Sequence, residues 1–160
     1  MIMNMSHSFR FTSASVIATC CLLSGGPGRA DDIAEVKATI AAFHQALAAL
    51  DIAKIDALWA HDDTVMDKEP LAKSTTLGWS GTRKNFEGLF AAASTISVKP
   101  SEGPNVQVRG DIAYSTGVGL SEATFKTFPA FSADVYEADV FEKRDGKWVY
   151  VVHAAYALPK

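Results

Sequence analysis

The sequence predicts an α+β fold in which three helices precede an antiparallel sheet. Apolar residues recur every three or four positions from residue 33 to 93, and from residue 96 they alternate with polar ones. The stretch Ser132–Ala157 carries the clearest signal, because two runs rich in Val, Tyr, Phe and Trp flank the turn Lys143–Gly146. Gly146 can take the positive φ that such a turn needs, so we expect a β-hairpin. Helices followed by strands are typical of the α+β class.

The first 30 residues differ in character from the rest of the 160-residue chain. The uncharged run Phe11–Leu23 follows a segment with one Arg and precedes a Gly- and Pro-rich stretch that ends at Ala30. This order is typical of a secretory signal peptide, so we predict cleavage after Ala30 and a periplasmic or secreted protein. A membrane anchor is the alternative, although 13 apolar or small residues are fewer than the about 20 that span a bilayer. A lipoprotein anchored through Cys20 is a third possibility, although Thr19 fits a lipobox poorly.

Residues 31–160 form the predicted domain. They contain 13 basic and 18 acidic side chains and therefore have a net charge of −5. This balance argues against nucleic acid or an anionic membrane surface as a partner. Both cysteines, Cys20 and Cys21, precede the domain, which therefore has no thiol, no disulfide and no Cys ligand for a metal.

Apolar periodicity and capping residues predict the three helices. Asp32 with Glu35 predicts a capping box at the start of the first helix, and Asp51 predicts the cap of a short second helix. The Gly-rich stretch at residues 78–81 precedes a third helix, predicted over Thr82–Ala93. Six apolar residues at helical spacing give the first helix its buried face: Ile33, Val36, Ile40, Phe43, Leu47 and Leu50.

The segment between the second and third helices predicts little regular structure. His61–Asp63 reads as a turn, and it lacks the closed set of ligands that a metal site requires. A short edge strand is predicted from Val65, followed by a loop over Lys68–Leu77. From Ile96 onward, strands joined by Gly-Asp, Gly-Pro and Asp-Gly turns predict an antiparallel meander.

This layout resembles the NTF2-like superfamily, and within it the SnoaL-like and ketosteroid-isomerase-like domains. The resemblance covers nearly all of residues 31–160 and is carried by Ala42–Leu47, Asp51–Ile55, Leu58–Val65, Gly78–Trp79, Gly110–Gly117, Val140–Trp148 and His153. It implies a cone in which a curved sheet wraps the long helix and leaves a pocket at the open end. It also implies a homodimer formed through the outer face of the sheet. The superfamily contains isomerases, dehydratases, hydrolases, cyclases and non-enzymatic adaptors, so the fold alone does not fix the function.

Asp67 is the first catalytic candidate. The run from Asp62 to Asp67 resembles the ketosteroid-isomerase segment that ends in the proton-shuttling aspartate. A carboxylate beside an apolar pocket can act as a general base; the alternative is a solvated loop carboxylate next to Lys68. The resemblance places Phe43 and Ala138 where that isomerase has its oxyanion donors, so steroid isomerisation is not expected.

His153 and Tyr136 are the predicted acid or polarising groups. An imidazole can act as an acid, a base or a ligand near neutral pH, and the alternative is a core histidine hydrogen-bonded to Tyr136 or Asp134. Trp59 and Trp79 either line the pocket or pack the helix layer. The full predicted pocket lining is Phe43, Trp59, Trp79, Tyr114, Thr116, Val118, Asp134 and Val151.

The resemblance further implies which strand residues face the pocket, since alternate side chains lie on opposite faces of a sheet. These are Asp134, Tyr136, Ala138 and Val140 before Gly146; Val149, Val151, His153 and Ala155 after it; and Tyr114, Thr116, Val118 and Leu120 in the preceding strand.

These observations predict an exported NTF2-like protein that binds a small, largely apolar molecule. It would catalyse proton-transfer chemistry such as isomerisation, dehydration or epoxide-type hydrolysis. The alternatives are a non-catalytic ligand carrier or dimerising module, and a protein-interaction adaptor. An enzyme needs at least two convergent titratable groups in the pocket, whereas a carrier needs only an apolar cavity with one anchor. We expect a homodimer, no cofactor, no metal, no nucleic-acid partner and no membrane association after signal cleavage.

Overall fold

The computed structural model describes residues 29–159, which form three helices and one six-stranded sheet. The helices are α1 (Arg29–Ala49), α2 (Ile52–Asp56) and α3 (Trp79–Ala92). The strands are β1 (Met66–Lys68), β2 (Thr76–Leu77), β3 (Ala93–Arg109), β4 (Ile112–Phe125), β5 (Phe131–Arg144) and β6 (Lys147–Ala157). No helix among these residues is long and apolar enough to cross a membrane. The predicted signal peptide lies outside the described residues, apart from its last two positions.

The strands form one curved, largely antiparallel sheet in the order β2-β1-β6-β5-β4-β3. The α+β class and the antiparallel meander of β3 to β6 are confirmed. The short strand predicted from Val65 is confirmed as β1, but it is not at the edge of the sheet, because it lies between β2 and β6 and pairs with β6 in parallel. β2 was not predicted and falls in the predicted loop, since a strand of two residues is too short to show an alternating pattern.

The buried faces of the helices agree with the apolar patterns in the sequence, whereas some of the predicted helix starts do not. α1 buries Val36, Ile40 and Phe43, as the spacing predicts, but it begins at Arg29 and holds Asp32 in its first turn. The Asp32 carboxylate accepts hydrogen bonds from Lys143 Nζ and, at 3.2 Å, from Trp148 Nε1. The predicted capping box at Asp32 is therefore wrong, because partners on the β5–β6 hairpin occupy the carboxylate.

Single residues determine where α2 and α3 begin. The Asp51 carboxylate accepts hydrogen bonds from the backbone N–H groups of Ala53 (3.1 Å) and Lys54 (3.2 Å), which confirms the predicted cap. α3 begins at Trp79 rather than Thr82, directly after Gly78, whose φ of 76° favours glycine.

The strand faces implied by the resemblance are wrong by one residue on β4 and β5. On β5, Val135 and Asp139 are at most 4% exposed, whereas Tyr136 is 39% exposed on the opposite face. On β4, Ser115 is buried and Tyr114 is 44% exposed. Alternation fixes which residues share a face but not which face is inside, and a one-residue slip exchanges the two. The outward residues therefore include Tyr114, Thr116, Val118, Leu120, Asp134, Tyr136, Ala138 and Val140.

On β6, a break in the strand register means that the implied inward face is correct only for part of the strand. Val140 pairs with Val152 and Phe141 pairs with Tyr150, so Val151 is an extra residue without a partner on β5. Beyond this break, His153 and Ala155 are buried, as the resemblance implies.

Aromatic rings fill the core between α1, α3 and the sheet. The Phe43 ring lies 5.0 Å from Tyr150, 5.9 Å from Phe86 and 6.1 Å from Trp59, measured between ring centres. Its centre is also 5.1 Å from that of the His153 imidazole, so the core supports one side of that ring.

Candidate active site

A row of polar side chains crosses the inner face of the sheet. The strand register places Ser115 opposite Asp139, Asp139 opposite His153, and His153 opposite Asp67. We call these four residues the polar row; each is at most 4% exposed. Buried polar groups are costly unless they are paired, so the partners within this row determine what each group can do.

Asp139 holds the imidazole in the middle of the polar row. Its Oδ2 accepts a hydrogen bond from Ser115 Oγ at 2.9 Å, and its Oδ1 lies 2.8 Å from His153 Nδ1. Because Nδ1 is engaged with Asp139, Nε2 is the ring nitrogen left to meet groups on the β1 side. The carboxylate therefore fixes the orientation of the ring and keeps Nδ1 protonated.

A cavity of about 500 Å³ opens beside the polar row. Most of its lining is apolar, and His153 is the member of the polar row that reaches it. Glu69 and Glu137 also line it, as do the exposed lysines Lys73 and Lys84. A pocket of this size and polarity suits a small molecule that has one or two polar groups.

Asp67, Glu69 and His153 meet at one edge of this cavity, and we call them the carboxylate–imidazole cluster. Each offers one nitrogen or oxygen atom, and these atoms all lie within 4.8 Å of one another. Asp67 and Glu69 are two residues apart along β1 and its continuation, and the pairing of β1 with β6 brings them to His153. Asp67 Oδ1 and Glu69 Oε1 are buried without a hydrogen-bond partner among the described residues.

The cluster shifts the proton affinity of each of its members. Burial raises the pKa of Asp67 to about 6, against the lowering effect of the His153 charge. Burial and the nearby Asp67 charge raise the pKa of Glu69 to about 7. Burial opposes the imidazolium, but the hydrogen bond and charge of Asp139 and the charges of Glu69 and Asp67 raise the pKa of His153 to about 10. At neutral pH the imidazole therefore carries a proton, and Glu69 is close to its titration point.

A second carboxylate–imidazole pair lies beside the cavity, and of the two residues Glu137 lines it. Glu137 Oε2 is 3.2 Å from His44 Nε2, and both side chains are largely buried. Burial raises the pKa of Glu137, but the hydrogen bond and charge of His44 outweigh it, so the pKa is lowered overall. Glu137 therefore stays ionised and adds negative potential to the cavity.

The structure brings together only some of the predicted site residues. Asp67 and His153 meet, whereas Tyr136 lies on the outer face of the sheet and cannot reach them. Phe43 and Trp59 are core residues, and Trp79 stacks on the rings of Trp59 and His61. The cavity is lined by none of the eight residues predicted to line it: Phe43, Trp59, Trp79, Tyr114, Thr116, Val118, Asp134 and Val151.

Glu69 and Glu137 were not predicted as site residues from the sequence. Glu69 falls in the predicted loop and acquires its place only through the parallel pairing of β1 with β6. Glu137 belongs to the correct strand but to the row that the resemblance places outside. The spacing of Asp67 and Glu69 at two residues was the one available signal, because such residues share a face when the chain is extended.

We expect His153 to stay protonated through neutral pH. Its contribution to stability is then fully present below the unfolded pKa of about 6.5 and is lost as the pH rises through about 10. NMR of the ring nitrogens should show both protonated between about pH 6 and 8. Asp139→Asn removes the charged hydrogen-bond partner and should lower the pKa of His153 by about one unit or more. Asp134→Asn, on the outer face, should leave it unchanged; a wild-type ring that titrates near pH 6.5 would contradict the assignment.

Comparison with known proteins gives a family match. A family model described as the SnoaL-like domain matches residues 36–157. No curated protein matches the sequence.

Solved structures share the fold at low sequence identity. An NTF2-like superfamily protein from Salmonella enterica is 18% identical, with a TM-score of 0.75 over 83% of this chain and 95% of that one. A proposed dehydratase of the NTF2-like family from Streptomyces avermitilis is 18% identical, with a TM-score of 0.73 over 82% and 99%. A proposed ketosteroid isomerase from Shewanella frigidimarina is 19% identical, with a TM-score of 0.62 over 74% and 91%.

Proposed function

This chain belongs to the SnoaL-like domain family of the NTF2-like superfamily, and from this premise we propose that it is an enzyme. It binds a small, largely apolar molecule in the 500 Å³ cavity and catalyses proton transfer on it. The reaction is an isomerisation, a dehydration or an epoxide-type hydrolysis. The names of two structural relatives, a proposed dehydratase and a proposed ketosteroid isomerase, agree with this range of chemistry.

One observation carries the proposal: Glu69 and His153 both reach the same cavity wall. Two convergent titratable groups within reach of one small ligand are what proton-transfer catalysis needs and what a simple carrier does not. The sequence favours Asp67 as the base, but Asp67 lies behind the lining of the cavity. Glu69 therefore takes that role, and the charge of Asp67 helps to raise its pKa.

Each group has a distinct task in this mechanism. Glu69 accepts the proton from the substrate carbon or from water. The His153 imidazolium donates a hydrogen bond or a proton to the substrate oxygen on which negative charge develops. Asp139 is a positioning residue, because it acts through the imidazole. The apolar part of the wall lowers the local dielectric constant, which strengthens both interactions.

Glu69→Gln is the direct test. It keeps the size of the side chain but removes the base, so turnover should fall by roughly 100-fold or more. Substrates are sought by screening small ketones, β-hydroxy ketones and epoxides for turnover by the wild-type protein. Asp67→Asn should lower turnover less, because Asp67 acts through Glu69.

The matched control is Glu122→Gln, which changes a carboxylate of β4 that pairs with Lys99 on the surface. It should leave turnover unchanged, and circular dichroism melts should show that all variants fold. Equal rates for Glu69→Gln and the wild type would refute the mechanism. Ligand binding without turnover would favour a carrier.

We also propose that the protein is exported. The support is the order of basic, apolar and Gly/Pro-rich segments in residues 1–30. Protein isolated from the periplasm or the medium should begin at Asp31, as measured by N-terminal mass spectrometry. An intact N-terminus beginning at Met1 in the mature protein would contradict export by cleavage.

We propose in addition that two copies associate through the outer face of the sheet. Tyr114, Tyr136 and Tyr156 are 44%, 39% and 51% exposed there, and Tyr136 pairs directly with Tyr156. Clusters of exposed aromatic residues on one face are typical of protein interfaces. Sedimentation should give twice the mass of the chain, and Tyr136→Arg should shift the protein to a monomer. Gln45→Arg, at an exposed site of α1 on the other side of the sheet, is the control; a monomeric wild type would overturn this proposal.

A further inference from the structure

The carboxylate–imidazole cluster has the composition of a metal site. One imidazole and two carboxylates offer ligand atoms within 4.8 Å of one another. Ligands held at about 2.1 Å from a tetrahedral ion stand about 3.4 Å apart, so side-chain rotations that bring the atoms up to about 1.4 Å closer would complete the set. The backbone already aligns the three residues, because Asp67 pairs with His153 and Glu69 follows on the same face.

Two orphaned oxygen atoms provide independent evidence for a bound cation. Asp67 is 1% exposed, yet its Oδ1 has no hydrogen-bond partner among the described residues, and neither has the buried Glu69 Oε1. A buried carboxylate oxygen without a partner costs free energy, and two adjacent carboxylates repel. The charge of Lys68 acts on both carboxylates and Asn85 forms a side-chain hydrogen bond with Asp67, but neither donates to these two oxygen atoms; the Lys68 ammonium donates instead to the backbone oxygens of Glu69 and Ala72. A divalent cation would satisfy both atoms at once.

The surroundings of His153 match those of a metal-bound histidine. Ligating imidazoles almost always donate their second N–H to a carboxylate or carbonyl, which fixes the tautomer and directs the other nitrogen at the ion. Asp139 Oδ1 lies 2.8 Å from Nδ1, and Ser115 anchors Asp139 in turn. With Nδ1 engaged by Asp139, Nε2 is the ring nitrogen left for an ion.

From these contacts we propose that Asp67, Glu69 and His153 bind a divalent transition-metal ion, with Zn²⁺ and Mn²⁺ as the fitting class. Mixed imidazole and carboxylate donors suit such ions better than Mg²⁺ or Ca²⁺, which prefer oxygen ligands alone. Glu69 and His153 also line the cavity, so the remaining coordination positions face a space that a small ligand can enter. The sequence gives no sign of this site, because Glu69 falls in a predicted loop and no ligand set at fixed spacing is present.

The inference goes beyond the proposed reaction and does not depend on it. An ion would occupy the same atoms that the proton transfer uses, so metal-loaded and proton-loaded clusters are alternative states. The metal site is therefore tested by measuring metal affinity and not activity. If no metal binds, the turnover of the metal-free protein still tests the proposed reaction independently.

Calorimetry on the full chain tests the site, with Zn²⁺ and Mn²⁺ as the probes. Cys20→Ser and Cys21→Ser are introduced throughout, so that thiols outside the described residues bind no Zn²⁺. We expect one ion per chain, with at least 10-fold weaker binding of Mg²⁺. Glu69→Gln and His153→Gln should each weaken Zn²⁺ binding by at least 10-fold, and Asp139→Asn should weaken it by about 10- to 100-fold.

The matched control is His61→Gln, which removes an exposed imidazole beside Asp62 and Asp63 and should leave the affinity unchanged. No binding by the wild type, or equal binding by Glu69→Gln, overturns the proposal. Loss of binding in the control alone overturns it too. If the cluster variants do not fold, NMR of the wild type decides. Zn²⁺ should then shift the ring signals of His153 and leave those of His44 and His61 in place; unmoved His153 signals at saturating Zn²⁺ overturn the site.

Discussion

The parallel pairing of β1 with β6 is the constraint on which the candidate site depends. Only Met66, Asp67 and Lys68 take part on the β1 side, opposite Val152, His153 and Ala154. This short contact brings the middle of the chain to its C-terminal strand. Without it, Asp67 and Glu69 would lie in a surface loop, and the imidazole would face the cavity without its two carboxylates.

The imidazole is held from two further sides. Asp139 supplies a charged hydrogen bond within β5, and the rings of Phe43 and Trp59 pack against it at 5.1 and 6.5 Å between centres. Removing one member of a buried charged pair is costly, by about 3–5 kcal/mol, because it leaves the other charge without compensation. The site therefore combines a tightly held His153 ring with a Glu69 carboxylate that has fewer partners. The contacts of His153 fix the direction of its ring, and the unpaired oxygen of Glu69 is available to a proton, a substrate or an ion.

Local signals predicted well the parts of the fold that local interactions determine. The stripe of α1, the Asp51 cap and the Asp145–Gly146 turn, with φ of 49° and 77°, all follow from spacing or from single residues. The inward faces of β4 and β5 could not be predicted in this way. Alternation separates the residues of a strand into two rows but does not say which row is buried, because that depends on the packing of the whole core. On these two strands the inner face carries Ser115, Glu137 and Asp139, whereas Tyr114 and Tyr136 lie outside, so hydrophobicity favours the wrong row. The role of Glu69 could not be predicted for another reason, because its partner His153 lies on a strand that is distant in sequence.

The unpaired Val151 has a consequence for how the chain can change in evolution. Loss of Val151 would close the bulge and leave a regular ladder, because Val152 already pairs with Val140 and Tyr150 with Phe141. A residue added between Asp139 and Phe141 on β5 would instead slip the strand by one position and exchange its two faces. A change of chain length is therefore expected to be absorbed at Val151 and to disrupt the polar row on β5, so the site depends on chain length as well as on residue identity.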